Sequence, residues 1–546
     1  MAQELFVPKQ ESSLFNGLCP FNSSQLGFAW QAPVLQSMYL FQEDAASEHQ
    51  TPFMKKYFSK EMMEKYEPLQ DAMQKVLDSD GADDEAWADF QLHYKKYQGL
   101  EVFSNWDGKR YDMVFYGVSG YTGYLMMEYL KRYSLKVTPE EFTFAFAGRT
   151  ASKVSDLRDR LFKGHPNADT PVLRMNYDDI VSTLDLAKSA RVIINVAGPY
   201  MLTEGELMVD ACCQTKTHYV DISGEIPWTL RLLDLHETCN KNAMWCCPSS
   251  ASAGGYPDLN VMLMAKKIRE EFGEELRLAE CYVGGGGAVA GASGGTLKTR
   301  AAMAAAGDEV RARMGDIYSL GGFVPDRDRN GIKEVNVEFG TGKVTCKVRS
   351  SDRDSNMAKI TENKKLGIWR GPFVYQYFDT RIVRRSNAMF ADMGNIPYGR
   401  ELCFLEFSMI PMEMISAMKG AGSANVANEA EELKKKGMYF KEGEGPDVDD
   451  LGDAWTGYFS YAESTSGKEE RSCMIGKDGY LETARMAVET ATCLLFDQDK
   501  VSFRGGVVPP TVACQTPLIE RIINTGMKFK MSGWFPQSEW TPPPFP

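Results

Sequence analysis

A strand, a glycine-rich turn and a helix follow one another in residues 111–130, and this order constrains the fold more than any other stretch. Apolar, β-prone residues occupy 114–116, glycines recur at 117, 120 and 123, and apolar residues then take helical spacing. Gly117 would allow the tight turn, Gly120 would let the backbone approach a pyrophosphate, and Gly123 would let the helix pack close to the sheet. The pattern predicts a dinucleotide-binding unit, with an ordinary strand-to-helix turn as the alternative.

The next strand-like run, 142–147, is followed by Gly148, Arg149 and Thr150. A domain selective for NAD usually carries an acidic residue at this point, which binds the ribose 2′-hydroxyl. An arginine suits a 2′-phosphate instead, because its guanidinium forms charge-assisted, forked hydrogen bonds. Arg149 therefore favours NADP as the cofactor, with NAD as the second choice. The alternative without a ligand is a solvated loop arginine.

Strand and helix patterns alternate from Lys109 onwards, which predicts a doubly wound, Rossmann-type parallel sheet. The fourth strand ends at 198–200 and the fifth at 222–225. Ligands of such sheets bind beyond the carboxyl ends of the strands, so both loops are expected to border the nicotinamide. The predicted cofactor-binding residues are Gly117, Ser119, Gly120, Tyr121, Thr122, Gly123, Arg149, Ala197, Gly198 and Pro199.

Four polar residues lie at or just beyond predicted strand ends and are candidates for proton transfer or oxyanion stabilisation, namely Tyr200, Asp221, Glu225 and Tyr256. The alternative for Asp221 and Glu225 is helix capping or loop hydrogen bonding. The alternative for Tyr200 is packing against the cofactor. A serine hydrolase is disfavoured, because the chain has no G-x-S-x-G elbow.

Composition excludes several classes of protein. A chain of 546 residues is too long for one core and predicts two or three domains. The net charge of −13 argues against nucleic acid or an anionic membrane as the main partner. Twelve cysteines without a C-x-x-C pair indicate reduced thiols and a cytoplasmic, intracellular location. The five histidines have no zinc-like spacing, so no metal is predicted.

The N-terminus lacks the basic and apolar regions of a signal peptide. No uncharged apolar run reaches the roughly 18 residues that a membrane-spanning helix needs. A soluble protein without a transmembrane segment is therefore expected.

Several motifs occur in a fixed order: Gly-x-Ser-Gly-Tyr-Thr-Gly (117–123), Ala-Gly-Arg (147–149), Asn-Val-Ala-Gly-Pro-Tyr (195–200) and Tyr-Val-Asp-Ile-Ser-Gly-Glu (219–225). In this order they resemble the saccharopine dehydrogenase-like oxidoreductases, a group that includes the trans-acting enoyl reductases. Later blocks, such as Ser-Gly-Gly-Thr-Leu (293–297) and Gly-Gly-Val-Val-Pro-Pro (505–510), extend the resemblance over about residues 110–530.

The resemblance implies an NADP-dependent oxidoreductase that transfers a hydride to a carbonyl or enoyl group of a lipid-like or polyketide-like small molecule. It also implies that residues 476–530 return to complete the nucleotide domain. One position departs from the family pattern, because Ala253 occupies the slot of a family aspartate in the turn after the sixth strand. The alternative is a catalytically degenerate family member that serves as a structural subunit of a larger assembly.

The predicted domains are a largely irregular and helical N-terminal extension (1–107), a nucleotide-binding domain (108–265), a substrate or dimerisation-type α+β domain (266–475), the returning segment (476–530) and a tail rich in proline and aromatic residues (531–546). Helices are expected at 54–77 and 84–98, and a β-hairpin at 335–348. The extension and the tail are the segments through which protein partners are expected to bind.

Overall fold

The computed structural model describes Lys75 and residues 109–540, except 287–290, 324–332, 340–341, 349–352, 393–396, 416–428, 436–438, 449–450, 452–453 and 502–504. The predicted N-terminal helices, apart from Lys75, and tail residues 541–546 lie outside the described residues. Asp107–Pro546 is one compact unit of the chain, and the description below concerns this unit.

The strands in the described residues are, in chain order, β1 (Tyr111–Tyr116), β2 (Phe144–Gly148), β3 (Val172–Arg174), β4 (Ala190–Asn195), β5 (His218–Asp221), β6 (Trp245–Cys247), β7 (Leu276–Gly286), β8 (Lys333–Phe339), β9 (Gly342–Val348), β10 (Thr361–Asn363), β11 (Ile368–Gly371), β12 (Cys403–Ile410), β13 (Trp455–Ser464), β14 (Glu469–Lys477), β15 (Gly506–Val507) and β16 (Lys528–Met531).

The α-helices that matter for the site are α1 (Tyr121–Tyr129), α2 (Ala151–Leu161), α3 (Ile180–Ser189), α4 (Glu206–Thr215), α5 (Ile226–Leu233), α6 (His236–Lys241), α7 (Ser252–Phe272), α8 (Gly294–Ala304), α9 (Asp308–Gly315), α10 (Gln376–Asp392), α11 (Glu429–Lys435), α12 (Gly479–Phe496) and α13 (Pro510–Asn524). A π-helical stretch, Leu130–Ser134, and a short turn of helix, Leu135–Val137, continue α1. In the described part of the chain, no helix is long and apolar enough to cross a membrane.

The first sheet has seven parallel strands in the order β15-β6-β5-β4-β1-β2-β3, which is the predicted doubly wound, Rossmann-type architecture. The interior position of β1 in this sheet explains why residues 114–116 are a continuous apolar run. Met113 and Phe115 of β1 lie in one core, and Val114 and Tyr116 lie in the core on the opposite face. Both faces of a parallel sheet are covered, so successive residues are buried whichever way they point. The strand order reverses between β1 and β4, which is where such sheets bind ligands.

The second sheet has seven strands in the order β10-β11-β12-β7-β13-β14-β16. It is mixed, because β12 runs parallel to β7 while every other neighbouring pair is antiparallel. Helices α7 and α10 pack against it and connect it to the first sheet. Strands β8 and β9 form a separate antiparallel hairpin at the position where the sequence predicts one.

The C-terminal part of the chain contributes to both sheets. Strand β15 pairs with β6 in the first sheet, and α12 packs against α1, β4 and β5. Strand β16 instead pairs with β14 in the second sheet. The segment after residue 476 therefore links the two sheets as well as extending the first one.

The described part of the tail packs on the outer face of the second sheet. The indole of Trp534 contacts the rings of Phe459 and Tyr282, and its Nε1 donates a hydrogen bond to the Ser460 carbonyl at 3.0 Å. The ring centroid of Trp540 lies 4.8 Å from that of Phe459. Residues 531–540 of the tail therefore pack on the chain's own second sheet, and binding of a partner through the tail stays a prediction.

Candidate nucleotide-binding and active site

Two of the three glycines in the first turn are required by the fold itself. Gly117 has a φ of +92°, and a Cβ placed on it would lie 2.8 Å from the backbone nitrogen of Ala197. A Cβ on Gly123 would lie 2.4 Å from the Cα of Val118, closer than real Cβ contacts come. Gly117 thus brings the ends of β1 and β4 together, and Gly123 brings α1 close to the turn.

Gly120 is different, because the described residues do not fill the space beside it. A Cβ on Gly120 would meet only the Gly117 carbonyl oxygen, at 3.4 Å. The residue is the N-cap of α1, and no side chain caps the helix there. The first-turn N–H groups of a helix lack partners within it and carry a partial positive charge. This open cradle, formed by Gly120 and the first turn of α1, fits a pyrophosphate.

Arg149 lies at the neighbouring edge of the cradle. It is exposed directly after β2, and it forms no hydrogen bond or ion pair with the residues that the structure describes. Burial raises the pKa of Tyr116, at the end of β1, to about 12, and the charge of Arg149 opposes this shift. The guanidinium is therefore close to the carboxyl end of β1, where the ribose of a dinucleotide would lie.

The loop after β4 is held in place by Glu225. The backbone N–H of Tyr200 donates to Glu225 Oε1 at 3.0 Å, and that of Met201 donates to Oε2 at 2.6 Å. The Tyr200 hydroxyl donates to the Asn195 carbonyl at 2.8 Å, and the Asn195 side chain accepts from the Ala197 N–H at 3.0 Å. The three predicted contact residues of this loop, Ala197, Gly198 and Pro199, are therefore carried by a loop whose backbone groups are fixed at both ends.

Asp221 is fully buried and ties the loop after β5 to the turn after β6. Its Oδ1 accepts from the N–H and hydroxyl of Ser223, at 2.9 and 2.7 Å, and from the Ser249 N–H at 3.0 Å. Its Oδ2 accepts from Trp228 Nε1 at 2.7 Å and from the Tyr219 hydroxyl at 3.1 Å. Burial raises the pKa of Asp221, and these hydrogen bonds oppose that shift.

Tyr256 is also fully buried, on α7. Its hydroxyl donates to Glu482 Oε2 on α12 at 2.8 Å, so it points into the contact between two helices. As with Tyr200, Asp221 and Glu225, its polar group forms hydrogen bonds with other groups of the protein. The structure gives all four predicted catalytic residues a positioning role, and a direct part in catalysis stays a prediction.

The second half of the chain brings polar side chains to the same edge. Thr299 on α8 donates to Glu225 Oε1 at 3.3 Å, and Tyr377 on α10 donates to the Gly224 carbonyl at 3.3 Å. Tyr480, at the start of α12, accepts from the Ser293 N–H at 2.7 Å, and its ring centroid lies 5.2 Å from that of Tyr121. The sequence pointed to Tyr121 through the glycine motif, and to Ser293 and Tyr480 through blocks of the family resemblance, but no motif marked Tyr377.

The turn that contains Ala253 lies next to these residues. Ala253 and Gly254 have non-helical backbone angles and kink α7 near its start. Asp379 of α10 lies near Gly254, and it interacts electrostatically with the buried carboxyl of Glu406 on β12. Ala253 presents only a methyl group, so it supplies no carboxyl at this position. In the described ranges no group of three or more His, Cys, Asp or Glu residues could hold a metal ion.

Comparison with known proteins confirms the resemblance that the ordered motifs predicted. No protein-family model matches the chain. The trans-acting enoyl reductase of Mycobacterium leprae is 26% identical over 449 residues, which cover 77% of this chain and 97% of that protein. The trans-acting enoyl reductase of Mycobacterium bovis is 26% identical over 443 residues, with the same coverage of both chains.

Two solved structures are similar at lower levels. Saccharopine dehydrogenase (L-Glu forming) from Saccharomyces cerevisiae is 14% identical, with a TM-score of 0.41 over 78% of this chain and 100% of that chain. Homospermidine synthase from Legionella pneumophila, in complex with NAD, is 9% identical, with a TM-score of 0.43 over 78% of this chain and 93% of that chain.

Proposed function

We propose that this chain, a relative of the trans-acting enoyl reductases over most of its length, is an NADP-dependent oxidoreductase that reduces the enoyl or carbonyl group of a lipid-like or polyketide-like substrate. One observation carries the proposal. Gly120 opens a space at the start of α1 that nothing in the described chain fills, and the exposed Arg149 stands beside it without a hydrogen bond or ion pair to any described residue. The relatives named as trans-acting enoyl reductases supply the reaction class.

Different residues of the chain would bind different parts of the cofactor. The first-turn N–H groups of α1 would hold the pyrophosphate, and Arg149 would bind the 2′-phosphate through charge-assisted hydrogen bonds. The loop 196–201, fixed by Glu225, would set the position of the nicotinamide. When bound, the cofactor supplies the hydride, so the protein has to orient it and manage the proton.

Exposed apolar side chains in the second half of the chain are consistent with a lipid-like substrate. Three apolar side chains lie largely in solvent where β11 and β12 end, namely Val374 at 50%, Met412 at 73% and Met414 at 50% exposure. Ser408 donates to the Pro372 carbonyl at 3.0 Å, so the segment before α10 lies beside the end of β12. Exposed apolar groups suit an acyl chain, because its burial removes apolar surface from water.

A structural subunit without turnover is the second candidate function, and Ala253 favours it. Without the family carboxylate, the turn after β6 offers no acid of its own. The described tail lends this candidate no support, because Trp534 and Trp540 pack on the chain's own second sheet.

Transfer of deuterium separates the two candidates. The protein is incubated with NADPH carrying deuterium at C4 and with a panel of enoyl and ketoacyl thioesters of increasing chain length, and the products are analysed by mass spectrometry. We expect one deuterium in the reduced product, with longer chains preferred, and none with a Gly120→Val variant. Binding of NADPH without transfer to any thioester would contradict the proposed reaction and favour the structural role.

A further inference from the structure

Tyr375 lies between the loop after β5 and the glycine turn of α1, although no sequence motif marks it. Two residues further along, Tyr377 reaches the Gly224 carbonyl of the β5 loop at 3.3 Å. On its other side Tyr375 is close enough to Tyr480 for the two phenols to interact electrostatically, and the Tyr480 ring packs against Tyr121 in the first turn of α1. These contacts place Tyr375 over the carboxyl edge of the first sheet.

Arg300 of α8 lies next to the ring of Tyr375. Its Cζ lies 5.9 Å from the centroid of the Tyr375 ring, and the guanidinium also interacts with the phenol oxygen. Helix α8 is itself fixed to the site, because Thr299 bonds to Glu225. The pair is therefore held by the same carboxylate that fixes the loop after β4.

Three other tyrosine hydroxyls around this edge, those of Tyr200, Tyr377 and Tyr480, form hydrogen bonds with the protein. The Tyr200 hydroxyl donates to the Asn195 carbonyl and Tyr377 donates to Gly224. The Tyr480 hydroxyl accepts from the Ser293 N–H and bonds to Thr296 at 3.2 Å. Tyr375 is half-buried, and its phenol faces the guanidinium of Arg300. A phenol that faces a guanidinium can release its proton without leaving an uncompensated negative charge.

We propose that Tyr375 is the catalytic acid of the reaction and that Arg300 stabilises its tyrosinate. This inference rests on the proposed function. The β-carbon of the enoyl substrate accepts the hydride, and the electrons of the C=C bond move towards the carbonyl oxygen to give an enolate. The O–H bond of Tyr375 then breaks as its proton bonds to the α-carbon, and water returns a proton to the tyrosinate. The substrate gains a hydride and a proton, and the nicotinamide is oxidised.

The charges around Tyr375 suit an acid that is protonated at neutral pH. Burial raises its pKa, and Arg300 opposes the shift. Two other titratable groups that face it, Tyr480 at the start of α12 and Asp379 on α10, raise the pKa of Tyr375, and Tyr375 in turn raises the pKa of Tyr377. Loss of Arg300 should therefore raise the pKa of Tyr375 further.

The test uses Tyr375→Phe, with Tyr111→Phe as the matched control, because Tyr111 begins β1 at the opposite edge of the first sheet. For Tyr375→Phe we expect kcat to fall by about 10²–10⁴-fold, the usual contribution of a general acid, with NADPH affinity unchanged in calorimetry. The control should keep both. The phenol itself is followed by ¹⁹F NMR of protein labelled with 3-fluorotyrosine, with the Tyr375 resonance assigned by its absence in the variant.

In an Arg300→Gln variant the Tyr375 resonance should titrate at higher pH than in the wild type, and the alkaline limb of the kcat profile should move in the same direction. Unchanged kcat in Tyr375→Phe, or an unchanged ¹⁹F titration in Arg300→Gln, would overturn the proposal. Failure of the wild type to bind any nicotinamide nucleotide would instead overturn the proposed function. The two failures can be told apart, because the ¹⁹F titration of Tyr375 is measured without nucleotide.

Discussion

Replacing Gly120 by valine is expected to abolish NADPH binding while the protein stays folded. The backbone of Gly120 has φ −82° and ψ 167°, a conformation that a β-branched residue readily adopts. Its Cβ would meet only the Gly117 carbonyl oxygen, at 3.4 Å. The change in the free energy of unfolding should therefore stay within about 1 kcal/mol. The two added methyl groups would occupy the space that the cradle leaves for the pyrophosphate.

The loss of affinity can be worked out from the contacts that the side chain would block. A hydrogen bond to a charged group is worth about 1.5–3 kcal/mol, and displacing the pyrophosphate from two N–H groups would cost about 3–6 kcal/mol. That corresponds to a loss of roughly 10²–10⁴ in affinity. Gly120→Ala, with a single methyl group, should give a smaller loss.

Gly307 offers a matched control. It is the N-cap of α9, its Cβ would meet nothing within 4 Å, and its backbone is extended in the same way. Gly307→Val should leave both stability and NADPH affinity unchanged. Gly123→Ala should behave in the opposite way to Gly120→Val, because its Cβ would lie 2.4 Å from backbone and overpacking of this kind costs about 1–3 kcal/mol in stability.

Stability is measured by urea denaturation and affinity by isothermal titration calorimetry on the same preparations. If a folded Gly120→Val variant binds NADPH as tightly as the wild type, Gly120 does not border the pyrophosphate. If Gly120→Val unfolds while Gly123→Ala is tolerated, the assignment of Gly120 to binding and of Gly123 to the fold is wrong.

Three further predictions concern other parts of the molecule. Arg149→Ala should weaken NADP binding by about 10–150-fold and leave NAD binding unchanged in calorimetry, and equal losses would contradict its role. Burial raises the pKa of Asp379 to about 7, so its stabilising contribution is complete below about pH 4 and is lost as pH rises through 7. Urea denaturation should therefore show the stability of the wild type relative to Asp379→Asn falling from pH 5 to pH 8, and a pH-independent difference would contradict this. Trp534→Ala should lower the free energy of unfolding by about 1–3 kcal/mol, because it removes the packing on Phe459, and an unchanged urea midpoint would mean that the tail is not held there.

The first sheet could be predicted from the sequence because its signals are local. The strand, the glycines and the helix of 111–130 lie within 20 residues of one another, and each glycine has a steric consequence that can be stated in advance. The positions of Gly117 and Gly123 match those consequences in the distances of 2.8 and 2.4 Å. The loops after β4 and β5 could be anticipated in the same way, from strand ends alone.

The roles of the polar residues could not be predicted, because their partners are distant in sequence. Glu225 bonds to residues 24 and 25 positions away, and Asp221 bonds to Ser249 across 28 positions. Tyr256 was chosen for its place after a strand, but the kink of α7 turns it towards Glu482, 226 positions later. A carboxylate at a strand end looks the same in sequence whether it faces a ligand or a backbone amide.

The contacts of the tail could not be predicted either, because Trp534 packs on Phe459 and bonds to Ser460, 74 positions earlier. A protein partner for the tail stays a prediction. Strand β16 was not foreseen either, because four residues of mixed polarity carry no clear period. Tyr375 and Arg300, which carry the inference about proton transfer, come from helices that only the packing of the second sheet brings to the nucleotide site.

A crystal structure of the protein with NADPH is the decisive test of nucleotide binding at Gly120 and Arg149. We expect the pyrophosphate within about 3 Å of the first-turn N–H groups of α1, with the 2′-phosphate on Arg149. The nicotinamide should lie between the loop 196–201 and Tyr375. A nucleotide bound elsewhere would contradict this site. Crystals that bind no nucleotide at saturating NADPH, with the space beside Gly120 still open, would contradict it as well.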